Sequence, residues 1–137
     1  MKMFLGEYQP NLIDASRLAL PAKMREQLTS KEVVLTRGFE KCLFGYERSD
    51  WELEAQRQVE SPISDSKTRK LKRYWYSGAV EVALDLQGRF VIPPNLRSYA
   101  AIKSDITVIG AGDHFEVWDT GVWKEYIKAI SEEVVEE

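Results

Sequence analysis

The chain has 137 residues, 44% hydrophobic, 11% aromatic and 30% charged, an ordinary globular composition that excludes a disordered body. Its formal net charge is −3, but Glu132, Glu133, Glu136 and Glu137 supply four of the 22 acidic groups; residues 1–130 hold 19 basic and 18 acidic groups, a net of +1, so a basic face is permitted but not required. Cys42 is the only cysteine, which excludes an intrachain disulfide; with no membrane-spanning run and no signal-peptide stretch at the start, a cytoplasmic setting is expected.

In chain order, β-favouring residues open the sequence at Phe4–Tyr8, a turn follows at Asp14-Ala15-Ser16, and Arg17–Leu20 reads as a short strand closed by Pro21. A short helix is predicted over Ala22–Leu28, then strands Val33–Arg37 and Leu43–Tyr46 joined at Gly38. Ser49 or Asp50 is expected to cap a helix carrying Trp51, Leu53, Ala55 and Val59. Ser61-Pro62-Ile63-Ser64-Asp65 breaks the chain before a helix over Ser66–Tyr76. The same series then recurs: Val80–Leu84, a turn at Asp85-Leu86-Gln87-Gly88, Arg89–Ile92, Pro93, a helix Pro94–Ala100, strands Ile106–Ile109 and His114–Trp118, and a helix capped by Asp119 or Thr120.

That recurrence is an internal repeat. An ungapped shift of 72 residues places Gly6 on Gly78, Leu12 on Leu84, Arg17 on Arg89, Pro21 on Pro93, Arg25 on Arg97, Gly38 on Gly110 and Trp51 on Trp123. The expected organisation is a first unit over residues 1–60, a connecting helix over 61–76, a second unit over 77–131 and a frayed acidic tail over 132–137. Each unit alone is too small to bury much core and leaves strand edges open, so an α+β domain with pseudo-two-fold symmetry is expected. Trp51, Trp123, Ile127 and Ile130 exceed what so small a core easily covers and are expected to serve subunit contacts in part.

The second unit holds Asp85-Leu86-Gln87-Gly88-Arg89. Asp85 can accept a backbone amide bond two residues on, Gly88 can take the left-handed conformation the turn needs, and Arg89 then sits just past the loop. This loop resembles the signature of the MraZ family, an Asp-x-x-Gly-Arg loop in each half followed by a short apolar strand and Pro. The resemblance covers nearly the whole chain, through Phe4-Leu5-Gly6-Glu7-Tyr8, Arg17-Leu18-Ala19-Leu20-Pro21-Ala22-Lys23, Leu35-Thr36-Arg37-Gly38, Cys42-Leu43-Phe44, Ser77-Gly78-Ala79, Val108-Ile109-Gly110 and Glu116-Val117-Trp118-Asp119. It implies a duplicated swapped-hairpin β-barrel of the AbrB type with flanking short helices. It further implies a cytoplasmic, nucleoid-associated regulator, expected to be a repressor, at repeated promoter sites of the division and cell-wall gene cluster. Its partners would be double-stranded DNA and its own copies in a ring-shaped homo-oligomer. The first loop departs from the signature: Ile13 stands where the family has Asp, Ser16 where it has Gly, and Asp14 is acidic one step late, so a different turn is expected there.

Arg17 and Arg89 are the candidate DNA readers, by base edge or phosphate, with Asp14, Asp85 and Gly88 building their loops; the alternative is that each arginine pairs with its own loop's Asp. Lys23, Arg25 and Arg97 are candidate phosphate contacts or simply a solvated helix face. Lys67, Arg69, Lys70, Lys72 and Arg73 form the densest basic run, beside Tyr74-Trp75-Tyr76; helical spacing of Leu71, Tyr74, Trp75 and Gly78 favours inward packing over single-strand stacking. One histidine, His114, and one cysteine build no usual zinc site, and no Walker or Gly-x-Gly-x-x-Gly loop occurs, so no enzyme, metal, cofactor, membrane or small-molecule substrate is expected. The competing reading is an antitoxin-like or scaffold module that does not bind operator DNA.

Overall fold

The computed structural model describes residues 2–14 and 16–136. The elements are β1 (Glu7–Tyr8), β2 (Leu12–Ile13), β3 (Arg17–Ala19), α1 (Ala22–Arg25), β4 (Glu32–Arg37), β5 (Leu43–Glu47), α2 (Arg48–Gln58) and α3 (Ser66–Gly78). They continue with β6 (Val80–Ala83), β7 (Arg89–Val91), α4 (Pro94–Tyr99), β8 (Ile106–Gly110), β9 (Phe115–Asp119) and α5 (Thr120–Glu136). Both α1 and α4 start directly after a proline, Pro21 and Pro93, whose fixed φ suits the entry to a helix.

The strands form two antiparallel sheets, one of six strands in the order β1-β8-β9-β5-β4-β6 and one of three in the order β2-β3-β7. The α+β duplicated architecture stands, but the strands do not close into a single barrel. Strands β4, β5, β8 and β9 are buried on both faces. On one face Val33, Leu35, Leu43, Ile106, Val108, Phe115 and Val117 meet Leu18, Leu20, Phe90 and Ile92 of the small sheet, with Met24 and Leu96 from α1 and α4. On the other face Val34, Phe44, Tyr46 and Trp118 meet Trp51, Trp75 and Trp123 from α2, α3 and α5. The period-two alternation of side chains makes this possible. The molecule is therefore a helix layer, a six-stranded sheet and a three-stranded sheet with its two short helices.

The order of the large sheet reads the same from either end once each strand is replaced by its repeat mate. Leu18 pairs with Phe90 and Phe44 with Glu116, residues 72 apart, so a pseudo-two-fold axis passes through both sheets at self-paired positions. The first strand of each unit pairs with the hairpin of the other, β1 on β8 and β6 on β4. The ungapped repeat needs one correction. Val33 faces Glu47 whereas Ile106 faces Asp119, so β8 follows β4 by 73 residues although β9 follows β5 by 72. The extra residue lies before β8, beside Ala101 at φ 54, and a shorter hairpin removes it. The first hairpin closes with Gly38 N–H on the Cys42 carbonyl, the second with Ala111 N–H on that of His114. Gly38 thus matches Ala111 rather than Gly110.

Four further expectations change. Helix α2 begins at Arg48 after Glu47, not behind Ser49 or Asp50: Asp50 Oδ2 lies 3.0 Å from Lys2 Nζ, and the Glu47 carboxylate is held by Lys2 (2.7 Å) and Thr29. The connecting helix is Ser66–Gly78, running straight into β6. Residues 131–136 continue α5 rather than fraying. Trp51 and Trp123 are buried within the chain, so neither is free for a subunit contact.

Candidate nucleic-acid interface

The three-stranded sheet buries Leu18 and Phe90, so alternation turns Arg17, Ala19, Arg89 and Val91 to its outer face. Arg17 pairs across from Val91 and Arg89 from Ala19, which makes the two arginines diagonal neighbours. Their side chains start roughly 7–8 Å apart by sheet geometry. The axis thus brings the arginine of each unit onto one surface, a juxtaposition that neither loop shows alone.

Both loops close with the same backbone bond, Ser16 N–H to Ile13 O (3.2 Å) and Gly88 N–H to Asp85 O (2.9 Å). The Leu20 and Ile92 amides then donate across the axis, to Gly88 O (2.9 Å) and Ser16 O (2.8 Å). The loops differ in what stiffens them. Asp85 Oδ1 accepts the Gln87 and Arg89 amides (2.8 and 2.9 Å), and Oδ2 accepts Arg89 Nε (2.9 Å). The Arg89 amide, opposed by the carboxyl's partial burial and helped by the guanidinium and the Gln87 amide, holds the Asp85 carboxyl below its ordinary range. Ile13 offers no such clamp. Asp14 instead takes the left-handed backbone, φ 53, whereas Gly88 does so in the second loop, φ 76. The first loop keeps the turn's closure but moves its left-handed residue, and Asp14 makes no ion pair with Arg17 among the described contacts.

Arg25 and Arg97, repeat mates, have separated in role. A Cβ on Gly88 would lie 2.1 Å from Arg25 Cδ: the arginine lies across the bare glycine, with its Nε buried and without a partner among the described residues. Ser16 carries the Cβ that Gly88 lacks, and Arg97 turns instead to the carbonyls of Ile102 (3.3 Å) and Lys103 (2.7 Å) at the end of α4. These bonds tie Arg97 to the residues that follow α4. Lys23 is exposed on α1. Sequence reasoning passed over Lys31, which lines a recess of about 330 Å³ with Arg25, Asp85 and Gly88. Its position comes from pairing between the units, for which its own surroundings in sequence give no signal.

Elsewhere, Trp75 of α3 is buried with Nε1 on the Arg37 carbonyl, as inward packing requires. Cys42, Glu116 and His114 approach one another. Glu116 Oε2 bonds His114 Nε2 at 2.8 Å, while Oε1 accepts Trp118 Nε1 at 3.0 Å and lies 4.0 Å from Cys42 Sγ. Burial pushes the Cys42 thiol up to about 12, so no thiolate is available for nucleophilic work. Among the described residues no helix is long and apolar enough to cross a membrane and no cluster of His, Cys, Asp or Glu is arranged to hold a metal ion.

A dyad of interleaved units, each giving one strand to its mate's hairpin and one arginine to a shared outer face, defines a duplicated swapped-hairpin protein. Residues 3–74 and 75–137 each match the family model described as MraZ protein and antitoxin-like. A Roseiflexus sp. (strain RS-1) protein named transcriptional regulator MraZ is 46% identical over 129 residues, 93% of this chain and 89% of that one. Proteins of the same name are 42% identical over 129 residues in Limosilactobacillus fermentum (94% and 90%) and over 124 residues in Syntrophomonas wolfei (90% and 86%). The chain belongs to the MraZ family, whose named relatives are transcriptional regulators and not enzymes.

Proposed function

We propose that the chain is a transcriptional regulator that binds duplex DNA through the outer face of the three-stranded sheet. The observation carrying this reading is the convergence of Arg17 and Arg89 on that face across the pseudo-two-fold axis. Arg17 is exposed, and the ion pair of Arg89 engages Nε, leaving its terminal nitrogens available for a phosphate or a guanine edge. Asp85 and Gly88 hold the second loop in shape, Asp14 the first, and Lys23 and Arg25 flank the face as phosphate contacts. Arg97 supports the end of α4.

The chain acts as a repressor at repeated sites in the promoter of the division and cell-wall gene cluster, in the cytoplasm and on the nucleoid. A near-neutral chain gains affinity by presenting several copies of this face, and its copies join in a ring that engages successive repeats. Footprinting the full chain on DNA upstream of its own operon tests the reading. Protection of short, regularly spaced repeats is the expected result, lost in Arg17→Ala and Arg89→Ala; each lost bidentate contact costs about 1–3 kcal/mol per site. Protection unchanged by both substitutions would overturn it.

A further inference from the structure

The pseudo-two-fold axis relates α2 to α5 and α1 to α4, but α3 has no mate. The edge strand β6 is entered from a helix, whereas β1 is entered from extended residues, Phe4 bridging to Gly112. The two lateral ends of the helix layer therefore differ. At one end α3 packs on β4 and runs into β6; at the other α5 packs on β8 and β9, and Trp123 Nε1 donates to Glu7 of β1 at 2.9 Å.

Both end helices carry the charge their own dipole disfavours. The first turns of α3 hold Lys67, Arg69 and Lys70 against the positive pole, behind the N-cap Asp65. The last turns of α5 hold Glu132 and Glu133 and, among the described residues, no base, against the negative pole. The apolar features match as well. On the outer side of α3, Ile63, Arg69, Lys72, Arg73 and Tyr76 line a recess of about 420 Å³, with Ile63 68% and Tyr76 41% exposed. On α5, Val134 and Val135 are 70% and 83% exposed.

We propose that the outer face of α3 in one copy receives the acidic last turns of α5 from the next copy, Val134 and Val135 filling the recess beside Ile63 and Tyr76 while Glu132 and Glu133 meet Lys72 and Arg73. The assignment rests on the ring reading above and names its junction. Because donor and acceptor surfaces differ, the contact is head to tail and repeats from copy to copy. The six-stranded sheet separates α3 from the Arg17 and Arg89 face, so this use of the basic helix does not compete with DNA held there.

Two full-length variants test it by light scattering at micromolar concentration: Lys72→Glu/Arg73→Glu, with the junction positions of both helices acidic, and Glu132→Lys/Glu133→Lys, with both sets basic. All four positions are exposed, and unchanged circular dichroism would confirm folding. Each variant alone is expected to lose the assembly, falling to the mass of one chain, and an equimolar mixture to regain it, since every junction then pairs opposite charges. Wild-type mass retained by both variants would remove the α3–α5 junction and leave the ring. A monomeric wild type would remove the ring as well. Folded variants that stay monomeric when mixed would overturn the charge pairing. A Lys72→Glu/Arg73→Glu variant that assembles but no longer binds duplex DNA would make α3 a DNA contact instead.

Discussion

Arg17 and Arg89 occupy related positions in unlike surroundings, and Asp85 makes the difference. A carboxylate beside a DNA-binding face repels phosphate, so removing it would tighten binding if charge alone mattered. Asp85 also clamps the Arg89 amide and guanidinium. We expect the clamp to dominate: Asp85→Ala should weaken duplex binding several-fold, and tighter binding in a titration would contradict the assignment. His114 offers a check away from the interface. Burial lowers its pKa, but bonds to Glu116 and Asp113 outweigh this and raise it above the ordinary value. A raised folded pKa means stability present below the unfolded pKa and lost as pH rises through the folded one. As the only histidine, its NMR titration should lie above that of a free peptide and fall in Glu116→Gln. Glu47 behaves oppositely. Burial opposes ionisation, yet bonds from Lys2, Ser30 and Thr29 hold its carboxyl down to about 2. Its contribution is present above the unfolded value and is lost as pH falls toward 2.

At the scale of elements, much was legible in sequence. Apolar runs, Pro21 and Pro93, and turn residues located most strands and short helices, because local chemistry sets them. Boundaries slipped where side chains had partners elsewhere: Glu47 is bound to Thr29 and Lys2, so α2 starts without a side-chain cap. The one-residue offset of β8 was invisible, since Gly38 and Gly110 match by letter while hydrogen bonding pairs Gly38 with Ala111. The candidate site was half legible. Both arginines and Gly88 could be named, but their meeting on one face, and the divergence of Arg25 from Arg97, depend on pairing between units. Packing at the axis is tight at Gly45, where a Cβ would lie 2.2 Å from the Phe115 ring. Gly45→Ala should cost about 2 kcal/mol in denaturant unfolding, as overpacked cores do. Gly88→Ala meets only a flexible arginine end and a left-handed φ and should cost about 1 kcal/mol. Equal costs would contradict the packing described.

For the whole molecule, interleaving turns two marginal units into one core and puts both loops on one side of it. The helix layer lies on the opposite side, so the proposed DNA face and the proposed junction are separate surfaces. A duplex held by arginines and lysines must release counterions, and each phosphate contact contributes about 0.9 to the slope of log affinity against log salt. The decisive measurement is therefore the salt dependence of binding to a duplex of tandem repeats, for the full chain and for Arg17→Ala/Arg89→Ala. A steep slope is predicted for the parent, reduced by up to about 2 per bound chain in the double variant, with affinity lower at every salt concentration. A flat dependence in the parent, or identical curves for both proteins, would contradict DNA binding through this face.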